Sequence, residues 1–66
     1  YADADAYARR GWAYYGGRDY RLALEDFERA LLVDPGNRQA QLGRQASLEA
    51  IAAEEKAAAE AARKRR

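Results

Sequence analysis

Residues 24–37, LEDFERALLVDPGN, constrain this chain more than any other stretch. Tyr20, Ala23, Leu24, Phe27, Ala30 and Leu31 recur at gaps of three and one. That spacing places one apolar stripe on a helix of 3.6-residue period. The stripe then meets Val33-Asp34-Pro35-Gly36-Asn37. Proline disfavours the helical region for Asp34, Gly36 turns the chain, and Asn37 can cap a new helix. The stretch therefore predicts a helix from residue 18 or 19 to 33, a hard stop, and a further helix.

The same logic predicts a first helix over residues 3–16. Asp3 and Asp5 suit a helix N-terminus. Gly16 and Gly17 end it, because glycine tolerates the left-handed conformation of a helix C-cap. The third helix runs from Arg38 almost to the end of the chain, with no proline and with Gly43 as its one glycine. It is rich in Ala, the best helix former, and at ~1.5 Å per residue it reaches about 40 Å. Its far end thus has nothing within this chain to pack on. Leu42, Ala46, Leu48 and Ile51 supply the apolar residues near its start, and beyond Ile51 only Ala does. Leu42, Ala46, Ala50, Ala53, Ala57 and Ala61 form one narrow stripe at helical spacing. Read alone, the stripe is either a helix–helix seam for self-association or a solvated tail.

Sixty-six residues make one small domain. Such a chain buries little of its surface and usually needs a staple. There is no Cys and no His, which removes disulfides, thiolates, the commonest metal ligand and the commonest general base. Association is the staple left. No apolar run approaches the ~20 residues of a membrane span. The sequence has no Met and no signal-peptide pattern, and it reads as a piece of a longer protein. Its Ala and Arg richness points to a GC-rich bacterial genome. The net charge is +1, yet the last four residues are RKRR. That end either complements the helix dipole and keeps an Ala-rich helix soluble, or contacts nucleic acid or an anionic membrane surface. The modest overall charge favours the first.

Read backwards from Pro35, the spacing is Tyr7-x2-Arg10-Gly11-x2-Tyr14, then Tyr20, Ala23-x3-Phe27, Ala30 and Pro35. This resembles the tetratricopeptide repeat, a helix–turn–helix unit of 34 residues. Residues 4–37 form one complete repeat. The resemblance implies an all-α fold, with one repeat in residues 1–37 and a long capping or extension helix in residues 38–66. It implies that Gly11 and Ala23 are small because two helices cross there, that Ala30 admits the next helix, and that Tyr7, Tyr14, Tyr20 and Phe27 fill the surrounding space. Two positions depart from the family pattern. Tyr7 stands where Trp is usual, and Arg10 where a large aliphatic is usual. A buried unpaired Arg is costly, so Arg10 must reach solvent, an acid or an aromatic face.

The family resemblance also implies protein binding along the first helix. Its groove positions fall on Asp5 or its neighbours, then Ala8, Trp12, Tyr15 and Gly16. Ala8, Trp12 and Tyr15 share one helix face, which is not the face of Tyr7, Gly11 and Tyr14. Trp12 is either an anchor for a foreign partner or sealed by the long helix or another copy. Some members hold a partner's C-terminal carboxylate with Lys and Asn. Those positions are apolar here, and the groove suits an apolar or aromatic segment. A lone repeat cannot bury its own faces, so homo-oligomerisation is expected, with a dimer favoured. No catalytic set is legible: Ser47 is the only serine, the acids read as solvent-facing, Asp3-Ala4-Asp5 reads as a helix start, and Gly16-Gly17 as a turn. No enzyme activity, metal or cofactor is expected.

Overall fold

The structure, a computed structural model, describes residues 3–64. Three helices follow one another: α1 (Ala4–Gly16), α2 (Tyr20–Val33) and α3 (Arg38–Lys64). The described residues hold helices and turns with no strand, so the fold is all-α, a helix–turn–helix followed by a long helix. The molecule measures 50 × 19 × 13 Å. Its length is set by α3, whose 27 residues are about twice the 13 and 14 of the other helices.

Each helix begins and ends for a local reason. The Asp3 carboxylate accepts a hydrogen bond from the Ala6 N–H at 2.8 Å, satisfying one of the free donors of the first turn. The α2–α3 turn is built as its sequence suggests. Asp34 is extended (φ −144°, ψ 94°) ahead of Pro35. Its carboxylate accepts from the Gly36 N–H at 3.1 Å, and its carbonyl from the Asn37 N–H at 3.0 Å. The Asn37 side-chain oxygen then caps α3 by accepting from the Ala40 N–H at 2.9 Å. The other face of that amide donates to Asp5 Oδ1 at 2.8 Å. This bond ties the start of α3 to the start of α1, so the two helices run in the same direction with α2 antiparallel to both.

The α1–α2 turn differs from the glycine cap expected. No glycine takes a positive φ, and Gly17 sits at φ −87°. The left-handed residue is Arg18, at φ 66°. The Asp19 N–H donates to the Tyr14 carbonyl at 2.9 Å and the Arg18 N–H to the Tyr15 carbonyl at 3.0 Å. These are the two bonds of a Schellman cap, with Arg18 in the place glycine usually fills. Helix α1 runs one residue further than a cap at Gly17 requires, so the strained position falls on the next residue. Asp19 precedes α2 without a side-chain cap bond.

The core is one aromatic ring surrounded by small residues. Phe27 is fully buried, with Ala23, Ala30 and Ala40 also at 0 % exposure. A Cβ on Gly11 would lie 2.8 Å from the Phe27 ring. A Cβ on Gly43 would overlap the ring more severely. Glycine is thus required at both positions, one on α1 and one on α3, for the three backbones to close on Phe27. Trp12 meets the ring edge-on at a centroid distance of 5.0 Å. Tyr7, Tyr14, Tyr15 and Leu31 pack around this centre half-buried. Burying one Phe contributes roughly 1.5–3 kcal/mol, so this ring is a large share of what so small a core can supply.

Helix α3 turns Ala40, Gly43 and Ser47 inward. Ala46, Ala50 and Ile51 are half-buried, whereas Leu42 and Leu48 face outward. From Ala52 to Lys64 every residue is exposed. The ion pairs Arg44–Glu28 (3.6 Å) and Arg21–Glu55 (3.1 Å) link α3 to α2. Exposed pairs of this kind contribute about 0–1 kcal/mol each.

Candidate functional site

The site is built from one face of α1 and the first turn of α3. Asp5, Ala8, Arg9, Trp12 and Gln39 line a cleft of about 250 Å³. Ala8 forms its floor at 2 % exposure, and Trp12 is half-buried beside it. The Trp12 indole N–H is buried and bonds to no protein group among the described residues. Tyr15 lies outside the cleft lining but continues it, meeting Trp12 edge-on at 5.3 Å and Tyr20 at 5.1 Å. Gly16 is exposed at the last turn of α1, with open space where a Cβ would be. The structure therefore brings Ala8 and Trp12 together, joins Tyr15 through ring contact, and leaves Gly16 at the end of the row.

A second groove, of about 400 Å³, lies where α3 passes the α1–α2 turn. Ala50, Ala53 and Ala57 line it with Arg18, Tyr20 and Glu54. Three residues of the Ala stripe thus sit in a groove wall. Ala46 is half-buried, and Leu42 is 57 % exposed. Arg63 and Lys64 close α3 in solvent. The remaining two cations of the basic end, Arg65 and Arg66, lie outside the described residues.

The strongest electrostatic feature is elsewhere, on the α1–α2 interface. Asp26 is fully buried, which overturns the expectation that the acids all face solvent. Arg10 grips it with two bonds, Nε to Oδ2 at 2.7 Å and Nη2 to Oδ1 at 2.9 Å. Arg29 adds Nη1 to Oδ1 at 2.8 Å. The Arg10 hydrogen bonds hold the Asp26 carboxyl below the usual carboxylate range, against the upward push of burial, and the Arg29 bond adds to the depression. In return the carboxylate raises the Arg10 pKa further above its already high value. The Arg10 guanidinium also sits 5.9 Å from the Tyr7 ring centroid. Arg10 therefore finds an acid and an aromatic face together. This cluster is a clamp between helices: its charges are mutually satisfied.

Sequence reasoning missed Arg9 and Gln39 as cleft walls, Gly43 as a contact of Phe27, and Asp26 as a buried acid. Arg10 carried a signal for Asp26, because a cation where a large aliphatic is usual calls for an acid or solvent, and exposed Arg10 reaches both. Nothing local marked Arg9 or Gln39, which meet across helices only after folding. No group of three or more metal-ligating side chains assembles among the described residues, and no helix is long and apolar enough to cross a membrane.

Comparison with the curated proteins and with the solved structures finds no match. The family model described as Tetratricopeptide repeat matches residues 4–37, which are α1, α2 and the turn into α3. Members of that family serve as protein-interaction scaffolds. The Gly11–Phe27 approach, the buried Ala23 and Ala30, and Pro35 at the turn form the packing this repeat requires, and the chain belongs to the tetratricopeptide repeat family.

Proposed function

We propose that this chain is a protein-interaction module that works through the α1 face around Ala8, Trp12 and Tyr15, and that free copies self-associate. The observation carrying this reading is Trp12. It is a large aromatic, half-buried at the wall of an open cleft, with its indole N–H unbonded. Tryptophan and tyrosine in such settings dominate binding energy at protein interfaces. The exposed half of α3 supports self-association, because Ala53 and Ala57 are exposed and no element among the described residues covers them. Among the described residues the one buried acid, Asp26, is held in a satisfied clamp away from the cleft, which leaves the Trp12 face suited to binding.

The test is solution mass by light scattering over a concentration series, with Leu42→Asn as the variant. Leu42 is exposed and outside the core, one turn along α3 from the cleft residue Gln39, so the substitution leaves the fold intact. A mass above one chain that rises with concentration, and is reduced in the variant, supports the reading. A folded monomer at every concentration sinks self-association and leaves the Trp12 face for a foreign protein.

A further inference from the structure

The cleft and the free half of α3 are complementary in length and charge. Gln39, Leu42, Ala46, Ala50, Ala53, Ala57 and Ala61 follow one another at gaps of three and four, so they share one face of α3. The first part of this face borders the cleft through Gln39, and the later part projects past the repeat. From Ala50 to Lys64 the helix extends about 21 Å, and from Ala50 back to Gln39 about 16 Å. A second α3 laid antiparallel about Ala50 is therefore long enough to reach the start of α1.

Charge fixes the register. Along α1 the cleft presents Asp5 and then Arg9. Arg9 makes no ion pair among the described residues. Along the end of α3 come Glu60 and then Lys64, likewise without ion pairs there. Run antiparallel, Glu60 falls opposite Arg9 and Lys64 opposite Asp5, while the small Ala57 falls opposite the bulky Trp12 and Ala53 opposite Tyr15. Small against large is how packed helix surfaces interdigitate.

We infer that the occupant of the Trp12 cleft is the Ala-rich end of α3 from a second copy, paired antiparallel about Ala50 with Glu60 on Arg9 and Lys64 on Asp5. This rests on the proposed self-association and assigns its geometry. By two-fold symmetry each copy covers the other's cleft, so the exposed end of α3 is covered in the same step.

Two charge reversals in the full chain test it: Arg9→Glu and Glu60→Arg. Both residues are exposed, so both variants fold, which circular dichroism verifies. Each variant alone sets like charges against each other twice, and its dimer dissociation constant rises by about tenfold or more. Mixed in equal amounts, the two variants form a heterodimer in which both contacts are again opposite in sign, and the mass of the unaltered chain returns. Dimers of either variant as tight as the unaltered protein's overturn this arrangement while leaving self-association standing on another face. An unaltered chain that stays monomeric overturns both.

Discussion

The two halves of α3 are one continuous helix in different surroundings. The first half carries Ala40, Gly43 and Ser47 against Phe27 and its neighbours, fully buried. In the second half, beyond Ile51, every described residue is exposed. One is held by tertiary contact, the other by Ala propensity and by Arg63 and Lys64 at the negative end of the helix dipole. The difference teaches that the fold is decided over a short length around one ring, and that the rest of the long helix is a consequence of composition.

The largest effect is expected at that ring. Phe27→Ala removes about 3–5 kcal/mol, as much as a core of this size supplies in total. The variant is expected to lose its cooperative thermal transition in circular dichroism, and a sharp melt close to that of the unaltered chain would show that the two halves of α3 are less different than drawn. Next comes the clamp. Asp26→Asn leaves Arg10 and Arg29 without their carboxylate and costs about 1–3 kcal/mol in denaturant unfolding. The pH dependence has a fixed sign. The folded Asp26 carboxyl is held below its ordinary pKa, so the folded state binds fewer protons than the unfolded one. The stabilisation is complete above the ordinary carboxylate range and fades as pH falls below about 4. A variant as acid-sensitive as the unaltered chain would assign that sensitivity to other groups.

A gain is expected at the α1–α2 turn. Arg18→Gly relieves a left-handed conformation that costs an L-residue roughly 1 kcal/mol, and the melting temperature rises. An unchanged or lower value would mean that the Arg18 side chain contributes more than its backbone costs. The smallest effect belongs to the free half of α3. Ala59→Gly lowers local helicity by up to about 1 kcal/mol and leaves the melting midpoint of a dilute sample unmoved. A midpoint that falls with it would join the two halves into one cooperative unit.

Much of this contrast was legible in the sequence, for physical reasons. The stop at Asp34-Pro35, the Asn37 cap and the Phe27 stripe depend on neighbours in the chain, and each appears where local chemistry places it. Gly11 was legible because its role is part of a spaced pattern. Gly43 was not, because its requirement comes from a ring sixteen residues earlier that reaches α3 only in the folded state. Asp26 looked like one more acid on a charged helix, and only the α1 crossing turns it inward. Arg18 took the left-handed position because α1 runs one residue further than its glycines suggest. At the cleft, the aromatic wall is Trp12, which its helix position already marked, with Tyr15 beside it outside the lining. Arg9 and Gln39 were not legible, since they meet across two helices that no local rule pairs.

The close approach of Gly11 and Gly43 to Phe27 has a dynamic consequence. A phenyl ring turning over by a half-rotation sweeps a volume wider than the slot it rests in. Both glycines bring backbone against the same edge of the ring, and on that edge there is no side chain to swing away and make room. The half-rotation must wait for whole helices to part. Separate nuclear magnetic resonance signals from the two edges of this ring, and the temperature at which they merge, would therefore clock the breathing of the helices themselves.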